Sequence, residues 1–101
     1  MRIISEKVLV DFIKKHPDSR ASLEKWVETI KILKLENLNQ LKGIFRSADI
    51  LPKNRVVFNI EGNNYRLITG IHIAKPGKQD VVFTIWIGTH AEYDKIDAIN
   101  I

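Results

Sequence analysis

An α+β fold, with an N-terminal strand and helices packed on one face of an antiparallel sheet, is the class this sequence predicts. Three observations predict it. Apolar residues recur at helical spacing through the first half of the chain, they alternate from Arg55 onward, and turn residues divide the alternating part into three runs. With 101 residues there is room for one modest core, so residues 1–101 are expected to form one domain.

In chain order, residues 1–4 are a short apolar run that predicts an opening strand. Ser5 is a plausible N-cap for a helix carrying Val8, Leu9, Phe12 and Ile13 on one side. Pro17 bounds that helix, because the residue before a proline resists the helical conformation. Leu23, Trp26, Val27, Ile30 and Leu33 form the stripe of a second helix, with Trp26 read as core. Asn37 and Gln40 have the spacing of a capping box ahead of a short third helix burying Leu41, Ile44 and Phe45. Residues 47–54, with Pro52, are expected to be a loop.

Strands are then expected at 55–60, 65–74 and 81–88, with a two-residue turn at Gly62 and Asn63 and a longer turn over 75–80. Residues 91–97 suggest a short terminal helix.

The turn at Gly62 and Asn63 fixes which side chains share a face. It sets Asn59 opposite Arg66, Val57 opposite Ile68 and Arg55 opposite Gly70. The other side carries Val56, Phe58 and Ile60 against Tyr65, Leu67, Thr69, Ile71 and Ile73, and must meet the helices. The last strand joins consistently if Val81, Phe83, Ile85 and Ile87 share that apolar face. Val82, Thr84, Trp86, Gly88 and His90 then fall on the non-helix face, with Arg55, Asn59, Arg66 and His72. Arginines, histidines and an aromatic ring on one surface suit RNA, although a solvated sheet face has the same pattern.

The formal charge of +4 and pI near 9.5 favour a polyanionic or acidic partner. No cysteine is present, which excludes disulfides and thiolate metal sites, and His16, His72 and His90 lack metal-ligand spacing. No cofactor or metal is expected. Neither a signal peptide nor a run of ~20 apolar residues is visible, so the expected compartment is the cytoplasm.

Three stretches carry a resemblance: Arg55-Val56-Val57-Phe58-Asn59-Ile60, Gly62-Asn63-Asn64-Tyr65-Arg66-Leu67-Ile68, and Gly88-Thr89-His90-Ala91-Glu92-Tyr93-Asp94-Lys95-Ile96. They are similar to the signature stretches of HigB-type toxins, a branch of the RelE/ParE toxin superfamily. Met1-Arg2-Ile3-Ile4, Leu41-Lys42 and Phe45 extend the likeness to the N-terminal half. The resemblance implies a RelE-like fold with a curved antiparallel sheet, and metal-independent cleavage of mRNA, in many relatives on the ribosome. It also implies a cognate helix-turn-helix antitoxin of HigA type.

Metal-free RNA cleavage needs a base for the ribose 2′-hydroxyl, a cation for the phosphorane and an acid for the leaving 5′-oxygen. Arg66 fits the phosphate role through its planar fork, and the resemblance puts a superfamily arginine there; the bland alternative is a surface arginine paired with Glu61 or Glu92. His90 is the candidate general acid or base, or else a structural residue opening the last helix. Tyr93 shares a helical face with His90 and could stack on a base, bond the phosphate or pack under the sheet edge. Arg55, Asn59, Trp86 and Lys95 are the candidate substrate-binding residues, with Trp86 equally able to cover exposed sheet.

His72 is read as structural and His16 as a helix-boundary residue; Lys75 and Lys78 mark a basic hairpin tip. Well-known superfamily ribonucleases carry lysines on the strand before the Tyr-Arg-Leu strand, where this chain offers Val57 and Asn59. The alternatives are a non-catalytic poison of DNA gyrase and an inactive antitoxin-binding relative.

Overall fold

A computed structural model describes residues 1–101. The elements are β1 (Arg2–Ile4), α1 (Lys7–Lys15), α2 (Arg20–Lys31), α3 (Leu41–Ile44), β2 (Asp49–Leu51), β3 (Arg55–Ile60), β4 (Tyr65–His72), β5 (Val81–Thr89) and α4 (His90–Tyr93). They build one five-stranded sheet in the order β1-β5-β4-β3-β2. Every pair is antiparallel except β1 with β5, which is parallel. No helix is long and apolar enough to cross a membrane.

The apolar stripes decide the layering. Leu9 and Phe12 of α1 and Leu23, Trp26 and Ile30 of α2 are buried against Val56, Phe58, Ile60, Leu67, Ile71 and Val82 of the sheet. Full burial of such side chains stabilises by roughly 1.5–3 kcal/mol each, so this face holds the helices down. Trp26 is core, with its ring edge-on to Phe58 at 5.4 Å. His16 is a boundary residue: it leaves helical geometry before Pro17 and stacks on Phe12 at 4.4 Å.

Several sequence expectations are corrected. Ser5 does not cap α1; Glu6 precedes the helix, and Ser5 lies at φ +70° with its carbonyl taken by Val8 N–H and the Thr84 hydroxyl. Asn37 makes no side-chain cap, because Gln40 turns instead to the Glu36 N–H at 2.7 Å. Ile44 of the four-residue α3 is 45% exposed rather than core. Residues 49–51 are a strand, not loop, and they form a hairpin with β3 through Lys53 and Asn54, both left-handed (φ 62° and 59°). Neither is glycine, and so the usual turn signal is missing. The last helix stops at Tyr93, short of the expected 97.

The register of β3 with β4 is the expected one, with Asn59 opposite Arg66, Val57 opposite Ile68 and Arg55 opposite Gly70. The facing of β5 holds only beyond its middle. Ile68 pairs with Trp86 but Thr69 pairs with Thr84, leaving Ile85 as the extra residue of a bulge. One extra residue reverses the alternation. Val82 and Thr84 therefore point to the helices, and Phe83 emerges on the opposite face.

That opposite face is not a bare solvated surface. The segment after α4 folds across its middle, where Ala98 is buried against Val57 and Ile68, with Ile85, Trp86, Tyr93 and Ile96 packed around them.

Candidate active site

One end of this covered face brings Arg66, His90 and Tyr93 together. Local sequence places His90: Thr89 caps α4 in a reciprocal capping box, accepting from Glu92 N–H at 3.1 Å while Glu92 accepts from Thr89 N–H at 2.8 Å. That bond from the Thr89 N–H holds the Glu92 carboxyl below the usual carboxylate range. The His90 N–H is also tied to the Asn64 carbonyl in the β3–β4 turn, at 3.2 Å. His90 thus opens a helix whose N-terminal end is fixed twice over.

Arg66 reaches it from β4. Its Nη2 lies 2.9 Å from His90 Nε2, and its Nη1 lies 3.5 Å from Asp49 Oδ2. Its guanidinium carbon sits over the Tyr93 ring, 5.0 Å from the centroid. A guanidinium only donates, so Nε2 is the accepting nitrogen and the ring proton sits on Nδ1. Nδ1 faces Asp94 Oδ2 at 3.5 Å. The chain Asp94–His90–Arg66–Asp49 therefore presents a neutral imidazole, lone pair toward a cation, with a carboxylate behind the ring.

Two buried polar atoms beside it have no protein partner: Arg66 Nε, a donor, and Asn59 Oδ1, an acceptor, on directly opposed residues. Buried polar groups are seldom left unpaired, and these two lie next to the cluster.

Trp86 joins the group through Tyr93, with ring centroids 6.4 Å apart and planes at 46°. The ring lies across Gly88, where an added Cβ would stand 2.5 Å from two of its carbons. Gly88→Ala is therefore expected to displace Trp86 and cost about 1–3 kcal/mol, checked by thermal unfolding and by a shift in tryptophan emission. An unmoved emission spectrum would mean the ring does not rest there.

The remaining candidates do not converge. Arg55 lies four residues along β3 from Asn59, roughly 13 Å at strand spacing, and donates to the Ile101 carbonyl at 3.0 Å. Lys95 stands exposed past α4 without a side-chain partner. His72 is exposed at the far end of the face. Arg66 pairs with neither Glu61, which accepts from the Ser22 hydroxyl at 2.7 Å, nor Glu92. No group of three or more His, Asp or Glu side chains gathers anywhere as a metal site would require.

Sequence reasoning missed both carboxylates. Asp94 was findable, being one helical turn beyond His90. Asp49 was not, since it lies in the strand read as loop.

A five-stranded sheet with helices on one face and the Arg66–His90–Tyr93 cluster on the other is consistent with a RelE-like toxin fold. The family model HigB_toxin, RelE-like toxic component of a toxin-antitoxin system, matches residues 19–96. The chain belongs to this family, and membership implies an antitoxin partner. No curated protein matched the chain.

Proposed function

We propose that this toxin is a metal-independent mRNA endoribonuclease acting on ribosome-bound messages in the cytoplasm and neutralised by a helix-turn-helix antitoxin of HigA type. The observation that carries the reading is the 2.9 Å contact between Arg66 Nη2 and His90 Nε2. It places a neutral proton acceptor beside a fork of donors suited to phosphate.

In this scheme a scissile phosphate takes the Arg66 guanidinium, which frees Nε2. Nε2 accepts the 2′-hydroxyl proton as the 2′-oxygen attacks phosphorus. Arg66 neutralises the charge that builds on the phosphorane oxygens. The bond to the 5′-oxygen breaks, and that oxygen takes a proton from solvent, leaving a 2′,3′-cyclic phosphate and a 5′-hydroxyl. Asp94 is a positioning residue that keeps the Nδ1 proton in place. Tyr93 and Trp86 offer rings for the flanking bases, and Asn59 an unpaired amide oxygen. His90 fills the base role that Val57 and Asn59 cannot fill.

Induction in cells is expected to stop translation and leave messages cut within coding regions, mapped by sequencing of 5′-hydroxyl ends. Intact messages with arrested replication would overturn this reading in favour of a gyrase poison. A growth-neutral protein that still binds its antitoxin would mark an inactive relative.

A further inference from the structure

The bulge at Ile85 gives the sheet a second chemical feature far from the cluster. Phe83, turned outward, is 44% exposed. It shares a shallow cleft of about 190 Å³ with Lys53, Arg55 and His72, and no carboxylate lines that cleft. Arg55 donates to the Ile101 main-chain oxygen at 3.0 Å and Lys53 to Asn100 Oδ1 at 2.8 Å, and neither forms an ion pair with an Asp or Glu side chain. Asp97, held by Asn100 Nδ2 at 2.6 Å and Ile99 N–H at 3.1 Å, offsets part of the Lys53 charge from a distance and leaves Arg55 without an acidic side chain beside it. Arg55 Nε is buried and has no partner. Gly70 leaves room for the Arg55 guanidinium, since a Cβ there would stand 3.2 Å from Nη1. Lys53 occupies a left-handed turn position (φ 62°) where Gly or Asn is less strained.

We propose that this end of the sheet is a second subsite for single-stranded RNA, in which Phe83 stacks on a base and Lys53, Arg55 and His72 hold the adjoining phosphates. The proposal rests on the endoribonuclease reading and extends it. Cations around one exposed aromatic ring match the chemistry of a nucleotide strand, whereas a protein interface needs a wider apolar centre. Gly70 lies four residues along β4 from Arg66, about 13 Å. The segment after α4 lies across the face between them, so the strand passes over it and the subsite takes a base at least about four nucleotides from the scissile phosphate.

The test measures the affinity of the purified toxin for fluorescein-labelled mixed-sequence RNAs of four and twelve nucleotides. Lengthening the RNA is expected to tighten binding to the wild type, and Phe83→Leu to remove about tenfold of that gain. Phe83→Tyr, which keeps the ring, should restore it. Lys53→Ala should lower the slope of log affinity against log salt by about 0.7. Both side chains are exposed, and unchanged melting temperatures would verify folding. Wild-type cleavage of mRNA with equal twelve-nucleotide affinities for all variants would overturn the subsite and leave the endoribonuclease reading standing. Loss of antitoxin binding in Phe83→Leu with RNA affinity unchanged would overturn it in favour of a protein contact. A wild type that neither binds nor cuts RNA would overturn both.

Discussion

His90→Ala is expected to slow mRNA cleavage by roughly 10²–10⁴-fold, the range of a positioned general base. Arg66→Ala should cost about 10²–10³-fold by leaving the phosphorane charge unmet. Arg66→Lys should not restore it, because an ammonium lacks the planar fork that can keep Asp49 while a phosphate takes the donors released from His90. Neither substitution opens the main core, which lies on the other face, so stability should change by under about 1 kcal/mol. Single-turnover cleavage at neutral pH, with thermal melts of each variant, checks all of this. A His90→Ala protein that cuts at the wild-type rate would remove the base assignment.

Asp80→Ala is expected to be the most damaging substitution for stability, at about 3–5 kcal/mol. The Asp80 side chain is fully buried. It accepts from Leu35 N–H at 2.9 Å, Lys34 Nζ at 2.8 Å and Ala74 N–H at 2.9 Å. It thereby fastens the chain leaving α2 to the chain between β4 and β5. Removing it strands two N–H groups, each costing about 1–3 kcal/mol when unsatisfied, and takes a buried charge partner from Lys34, which keeps the Lys78 carbonyl at 3.0 Å.

Burial alone would push its carboxyl up, but the donors from Leu35, Lys34 and Ala74 outweigh burial and hold it below the usual range. A depressed folded-state value means the stabilisation is present above the unfolded carboxylate value near ~4. It is lost as pH falls through the folded value. Urea unfolding at neutral and acid pH should show wild type losing stability in that window, and Asp80→Ala losing less. A destabilisation under 1 kcal/mol at neutral pH would show the network to be dispensable.

Asp80 also illustrates where the sequence stops being legible. Beside Pro76 and Gly77 it reads as one more polar turn residue. Its importance comes from donors 45 residues away at Leu35 and 46 away at Lys34, brought close only by the packing of α2 on the sheet. Asp49 was hidden for the same reason. A three-residue edge strand with a Lys-Asn turn lacks both the length and the glycine that mark a hairpin.

The Ile85 bulge was hidden as well. Val81, Phe83, Ile85 and Ile87 alternate so regularly that nothing in them announces a break. What forces it is the seating of Val82 among the helices and of Thr84 against the Ser5 carbonyl.

By itself the sequence determined the class of fold, the helical stripes, the β3–β4 register and the pairing of Asn59 with Arg66. All of these follow from short-range periodicity and one turn. It also put Arg66, His90 and Tyr93 on one list of candidates. Only the tertiary structure decided that these three touch and that Arg55, Lys95 and His72 stand apart. It alone decided that Asp94 and Asp49 complete the cluster and that Phe83 faces outward. The reason is physical: periodicity fixes which side of a strand a residue occupies, while distance along the face depends on register, bulges and the segment folded across it.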